Sequence, residues 1–222
     1  MPKHTGASVW PSAWPSSLAV VVLAGGRGTR LRPDATTDKG SVRVGGRRLV
    51  DIVVDQLPYG TPVAVVSPFP LGRPQVCENP LFGGPVAGIA AGVRALGSMP
   101  DGLIGVLSVD APDSPRLLSA LADALVAQRF SDGVTPHPSA AVARAADGWV
   151  QPLCAVWHRT DLETALRALD ARHGGAHNVS ARRLLRAAPG GIVSIVGHGA
   201  ERDYDTADEL RSYAAGAPVT LA

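Results

Sequence analysis

Residues 23–40 read LAGGRGTRLRPDATTDKG and follow directly on the apolar run Leu18-Ala19-Val20-Val21-Val22. Gly25 and Gly26 remove side chains where that run turns, so backbone N–H groups can approach a ligand closely. Amides presented in this way bind phosphate oxygens without a counter-charge, and Arg27, Arg30 and Lys39 supply one in addition. Arginine offers a planar fork for two oxygens, lysine a mobile point charge. The combination predicts binding of an anion; the plainer alternative is a glycine-rich turn with solvated cations. The spacing is neither G-x-x-x-x-G-K-[ST] nor G-x-G-x-x-G, which argues against an ordinary P-loop ATPase and a dinucleotide dehydrogenase.

Carboxylates follow in two places. Asp110 ends the apolar run GLIGVLSVD (102–110), where a carboxylate can hold Mg²⁺ against phosphate oxygens. A turn-forming aspartate is the alternative, but the position after a fully apolar strand favours the metal, because ligands of parallel α/β sheets collect at strand carboxyl ends. ERDYDTADEL (201–210) places Asp203 and Asp205 two residues apart, on one face of an extended segment. Thr206 ahead of Asp208 and Glu209 also predicts a helix cap over an acidic first turn, a purpose Asp205 could equally serve.

CENPLFGGPVAGIAAG (77–92) puts Gly83, Gly84 and Pro85 before a helix of very small residues. A flat ring can lie close to such a backbone, with Glu78 or Asn79 reading its edge, although Gly88 and Gly92 serve tight helix-on-sheet packing under any function. Arg182, Arg183 and Arg186 gather in HNVSARRLLRAA (177–188), a seat for an acceptor phosphate or a solvated basic face.

Short β-branched runs alternate with amphipathic ones. Strands are expected at 20–24, 62–67, 102–110, 150–157 and 191–197. Helices are expected at 49–57, 86–96, 114–128, 160–169, 181–187 and 206–214, with Ser114 as a cap and Pro115 in its first turn. Such alternation, with strands apolar on both faces, implies a mostly parallel sheet covered by helices. The expected fold class is α/β, a three-layer α/β/α arrangement, with residues 18–222 as one domain and 1–17 as an extension carrying Trp10 and Trp14.

A net charge of +2 with no polybasic run argues against nucleic acid or a membrane surface as partner. No apolar stretch reaches a membrane span, and the N-terminus lacks the apolar centre of a signal peptide. Cys77 and Cys154, far apart and without zinc spacing, make a reducing cytoplasm the expected setting.

LAGGRGTRL with the following lysine resembles the signature L-A-G-G-x-x-x-R-[ML]…K of the nucleotidyltransferase superfamily, and with it a Rossmann-like nucleotidyltransferase fold. GGRGTRLRP is similar to the sugar-1-phosphate nucleotidyltransferases, and DKG (38–40) to the molybdenum cofactor guanylyltransferases. The resemblance implies that Leu23, Ala24, Gly25, Gly26, Arg27 and Gly28 wrap a nucleoside triphosphate whose phosphates Arg30 and Lys39 hold. The segment at 77–92 is similar to one that contacts the purine in the guanylyltransferases, implicating Glu78, Asn79, Gly84 and Pro85. DYDTADEL is similar to D-x-[DN]-T-P-E-D-L of that family, with Ala207 at the proline; one of Asp203 and Asp205 then joins Asp110 at the metal. VQPLCAVW (150–157) resembles a strand on the acceptor side, bringing in Gln151 beside Arg182 and Arg183. The implied reaction is Mg²⁺-dependent transfer of GMP from GTP to the phosphate of molybdopterin, with Arg30, Lys39 and Asp110 as the catalytic set, in a monomer or weak homo-oligomer. Within the class, a sugar-1-phosphate nucleotidyltransferase and a molybdenum cofactor cytidylyltransferase are the alternatives; outside it, a non-catalytic nucleotide-binding homologue.

Overall fold

A computed structural model describes residues 14–26, 38–98, 102–128, 137–173, 176–215 and 218–220. Its frame is a six-stranded sheet of β1 (Leu18–Leu23), β4 (Val63–Val66), β5 (Leu103–Ser108), β6 (Ala140–Arg144), β7 (Val150–His158) and β8 (Ile192–Val196), in the order β4-β1-β5-β7-β6-β8. β1 pairs in parallel with β4 and β5, and β6 with β8, while β7 runs antiparallel to both of its neighbours. Five strands thus share one direction, as the apolar-on-both-faces pattern requires.

Alternation along β1 assigns the two faces. Leu18, Val20 and Val22 enter a core with α1 (Leu49–Val54), α3 (Leu118–Ala127) and α6 (Ala207–Tyr213). Ala19, Val21 and Leu23 point the other way, into a core with α2 (Pro85–Ala95), α4 (Arg159–His173) and α5 (Ala181–Arg186). All six β1 residues are buried, so the strand carries apolar side chains on both faces and lies in the middle layer of three.

Several details differ from the sequence expectation. The segment Ala140–Arg144, AAVAR, is a buried central strand although alanine is depleted in strands; its pairing with β7 and β8 overrides that weak propensity. The expected helix at 114–128 begins as a 3₁₀ turn, Ser114–Leu117, and Ser114 donates its hydroxyl to the Ala111 carbonyl at 2.6 Å instead of capping. Asp113, at the head of that turn, makes no side-chain cap bond and pairs with Arg116 at 3.1 Å. Short strands β2 (Arg43–Val44) and β3 (Arg47–Arg48) form a hairpin across Gly45 and Gly46, both at positive φ, and β9 (Val219–Thr220) adds to its edge. Trp14 packs against the first core, and Trp10 lies outside the described residues.

One irregularity shapes the functional end of the sheet. The β6–β7 register moves from Val142↔Ala155 to Ala143↔Gln151, leaving residues 152–154 bulged. Pro152 has no N–H to give a ladder, and the bulge is what admits it to an interior strand.

Candidate active site

The carboxyl ends of β1 and β5 open onto a cleft of about 450 Å³. At the end of β1 the amides of Ala24 and Gly25 both donate to the Val66 carbonyl, at 2.9 and 3.0 Å. Those two N–H groups are therefore committed to the sheet. What Gly25 contributes is proximity: a Cβ there would lie 2.7 Å from Pro68 Cδ, so no other residue lets the turn after β1 lie against the turn after β4. Leu23, Gly25 and Gly26 line the cleft, and Ala24 is buried behind them. Arg27, Gly28 and Arg30 lie outside the described residues.

Lys39 opens a 3₁₀ turn, Lys39–Ser41, capped by Asp38. The Asp38 carboxylate accepts from the Gly40 amide at 3.0 Å and from the Ser41 hydroxyl. Burial raises the Asp38 pKa, with the bonds from Ser41 and Gly40 pulling the other way. Gly40 completes the device, since a Cβ there would meet Leu71 Cδ2 at 3.1 Å and Ala24 Cβ at 3.2 Å. The backbone carrying Lys39 is thereby seated on the same residues that end β1.

From that seat Lys39 Nζ reaches two carboxylates, Asp110 Oδ2 at 3.0 Å and Asp205 Oδ1 at 2.7 Å. The three side chains are 14%, 19% and 26% exposed, so the charges interact with limited screening. Burial alone would lower the lysine pKa; the two carboxylates outweigh it and raise the pKa above the ordinary 10.5. Lys39 is a cation throughout the physiological range.

The placement of Asp205 follows from α6. Thr206 is the N-cap: its hydroxyl accepts from the Glu209 amide at 3.2 Å, and Glu209 accepts in return from the Thr206 amide at 2.9 Å, a complete capping box. Thr206 thus takes the structural duty, and the Asp205 carboxylate turns to Lys39. Asp203 goes elsewhere, accepting from Gln151 Nε2 at 3.2 Å.

Across the cleft stand Glu78, Phe82, Gly84 and Pro85. Gly84 has φ +84° and ψ 179°, a conformation open in practice only to glycine, and it turns the chain into the N-terminus of α2. Glu78 is 8% exposed and, among the described residues, its carboxylate receives no hydrogen bond. Asn79 is exposed and lines a separate hollow between α2 and α4. Phe82 has no distinguishing sequence signal except its place beside Gly83 and Gly84; its positive φ of 59° and its packing on Phe69 hold it at the cleft wall.

A smaller hollow of about 180 Å³ adjoins the cleft, sharing Ser108, Asp110 and Leu153 with it. Gln151, Arg182, Asp203 and the buried Glu201 line this second hollow, and the β7 bulge delivers Pro152, Leu153 and Cys154 to the boundary. The Arg182 guanidinium lies 3.8 Å over the Trp149 ring. Arg183 is exposed and is not among the lining residues. Asp110 is therefore common to two adjoining spaces, one walled by the glycine turn and one by β7 and α5. Sequence reasoning misses Asp38, Ser108, Leu153 and Glu201; only Asp38 carries a sign, an aspartate two residues before Gly40 and three before Ser41, as an Asx turn prefers.

The chain is similar to several known proteins. The molybdenum cofactor guanylyltransferase of Vibrio cholerae is 31% identical over 157 residues, 67% of this chain and 70% of that protein. A nucleotidyl transferase from Methanothermobacter superposes with TM-score 0.64 at 18% identity, covering 90% of this chain and 97% of that one. The 2-C-methyl-D-erythritol 4-phosphate cytidylyltransferase of Thermus thermophilus gives 0.58 at 20% identity over 89% and 97%. Both superpositions identify the fold, a Rossmann-like nucleotidyltransferase architecture. The family profile of the MobA-like NTP transferase domain spans residues 20–191, from within β1 to the residue before β8, and so takes in the glycine turn, Lys39, Glu78 and Asp110. With a strand-end carboxylate and a capped lysine at the mouth of that fold, the chain is a nucleotidyltransferase that belongs to the MobA-like NTP transferase domain family.

Proposed function

We propose that this enzyme transfers GMP from GTP to the terminal phosphate of molybdopterin, releasing pyrophosphate. The observation that carries the reading is the position of Asp110, shared by the cleft beside the glycine turn and the hollow beside Gln151. A nucleotide in the first and an acceptor in the second would meet at that carboxylate. An oxygen of the acceptor phosphate attacks the α-phosphorus, the bond to the β-phosphate oxygen breaks, and both electrons of that bond leave with pyrophosphate. A phosphate acceptor is already ionised near neutral pH, so no general base is needed, and positioning with charge neutralisation carries the rate.

The residues present suit a magnesium ion. Asp110 and Asp205 already converge on one cationic atom, and a hard dication takes one or two carboxylates together with phosphate oxygens and water. Among the described residues no group of three or more His, Cys, Asp or Glu side chains gathers, so phosphate oxygens and water would complete the shell. Asp110 and Asp205 would hold the ion, which when bound supplies charge neutralisation at the α-phosphate. Asp203 is then an acceptor-side residue with Gln151 and Arg182. Leu23, Gly25 and Gly26 bound the triphosphate space with Lys39; Arg27, Gly28 and Arg30, outside the described residues, are assigned to the same phosphates by the family resemblance alone. Glu78 reads the base, because a buried carboxylate accepts well from the guanine N1–H and N2–H donors. Gly84 and Pro85 give the ring a flat wall. A sugar-1-phosphate nucleotidyltransferase is the second reading, favoured by GGRGTRLRP. Both cysteines are free, and no helix among the described residues is long and apolar enough to cross a membrane.

Pyrophosphate release across a panel of NTPs, with molybdopterin and with sugar 1-phosphates as acceptors, tests the proposal. GTP with molybdopterin is the expected pair, and activity is expected to vanish in Asp110→Ala. Preference for CTP or dTTP, or for a sugar phosphate, overturns the substrate assignment; an active Asp110→Ala overturns the site.

A further inference from the structure

Asp110 and Asp205 come from segments 95 residues apart and meet at one ammonium group. Two carboxylates held this close repel each other unless a cation lies between them. Lys39 is that cation in the protein as it stands. We propose that Lys39 is the resident counter-ion of the metal-free enzyme, occupying the place a divalent ion takes between Asp110 and Asp205 until a triphosphate draws it away. The inference rests on the metal and nucleotide assignments of the proposed function and adds the order in which they fill.

The competition follows from charge. Both Lys39 contacts, at 3.0 and 2.7 Å, use oxygens of the same two carboxylates that a metal would need. A dication arriving there with the ammonium in place meets a like charge and finds the carboxylates already neutralised in part. The means of release is local. Asp38 and Gly40 fix the main chain of Lys39, while its four-carbon stem remains flexible, so Nζ can move without disturbing the turn. Triphosphate oxygens in the adjoining space offer the ammonium a stronger anion than the carboxylate pair. Nucleotide binding thereby clears the metal position, and metal binding frees a lysine for the nucleotide. Each strengthens the other by the same factor, as linkage requires. Metal alone binds weakly, which keeps the carboxylates from trapping divalent ions in an empty site.

Mn²⁺ binding without nucleotide, followed by the paramagnetic signal of the free ion, tests this in wild type, Lys39→Met and Lys39→Gln. Both variants are expected to bind Mn²⁺ about tenfold more tightly than wild type, the scale of a typical coupling. A second readout uses the unaltered chain. Lys3 is the only other lysine, so an amine-reactive label read by mass spectrometry reports Lys39 against an internal reference. Saturating Mn²⁺ is expected to raise Lys39 labelling several-fold relative to Lys3. Equal Mn²⁺ affinity in all three proteins, or Lys39 labelling unchanged while Mn²⁺ binds, overturns the counter-ion role and leaves the proposed function standing. Absence of Mn²⁺ binding in every protein, even with a non-hydrolysable GTP analogue, overturns both.

Discussion

Asp38 accepts a hydrogen bond from the Gly40 amide at 3.0 Å, and the residue enclosed by that bond is Lys39. The cap is structural in form and functional in consequence, because it fixes the backbone from which the ammonium reaches Asp110 and Asp205. Asp38 touches neither cleft, so its role is positioning. Asp38→Ala is expected to cost about 1 kcal/mol of stability, the usual worth of a cap, and to lower kcat/KM about tenfold through misplacement of Lys39. Asp38→Asn keeps a side-chain oxygen for the Gly40 amide and is expected to recover most of the activity. Steady-state kinetics with melting curves separate the two effects; an alanine variant that loses stability but keeps full kcat/KM removes the positioning role.

The capping box at α6 gives a pH dependence with a definite sign. Hydrogen bonds from Thr206 and the Asp205 amide hold the Glu209 carboxyl below its ordinary pKa of 4.5. The folded state thus prefers the ionised form. Its contribution to stability is complete above pH 4.5 and is lost as the pH falls through the lower, folded-state pKa. In Glu209→Gln the melting temperature is expected to fall less steeply with acid below pH 4.5 than in wild type, with the two curves converging there. Parallel curves across that window would show that ionisation of the Glu209 carboxyl contributes nothing to stability.

The parts of the site carried by short sequence signals are legible in the chain itself. Gly25, Gly26 and Asp110 fall where strand ends put them, because β1 and β5 announce themselves by continuous apolar runs, and Lys39 is marked by the DKG motif whose aspartate caps its turn. The hidden parts depend on distant pairing. Asp203 and Asp205 look equivalent in an extended segment; only the capping box and the contact with Lys39 tell them apart. Gln151 and the bulge at residues 152–154 depend on the β6 register, and β6 itself is alanine-rich. The hairpin of β2 and β3 is too short for any periodicity to show. Glu78 and Asn79 are chain neighbours, yet Glu78 reaches the cleft at the end of β1 and Asn79 does not, a distinction local composition cannot make.

Gly92 separates packing from function. A Cβ on it would lie 2.5 Å from Val21 Cγ1, and Val21 is fully buried and β-branched, so it has no rotamer to retreat into. Gly92→Ala gains about 1 kcal/mol of helix propensity and loses about 1–3 kcal/mol to overpacking. The expected net loss is about 1 kcal/mol, read as a drop of about 2–4 °C in melting temperature. Gly88 makes the opposite case. Its Cβ would meet the more adaptable Leu23 Cδ2 at 3.0 Å, and Gly88 lines the cleft. Gly88→Ala is expected to change KM for the nucleotide more than it changes stability.

Glu78 carries the nucleotide preference in this scheme. The residue is 8% exposed and lines the cleft together with Gly25; a guanine edge presents two N–H donors to such a carboxylate, and an adenine or pyrimidine edge does not match. Glu78→Gln replaces one acceptor oxygen with an N–H₂ group and sets donor against donor. The mismatch leaves a buried polar pair unsatisfied, worth about 1–3 kcal/mol, so kcat/KM for GTP is expected to fall about tenfold to a hundredfold. ATP and CTP, which never used the carboxylate in that way, are expected to change much less, narrowing the selectivity from one side. The discriminating measurement is the ratio of kcat/KM values for GTP and ATP in wild type and variant. A uniform decline for every nucleotide would mean that Glu78 supports the wall, and that the base is read by another group.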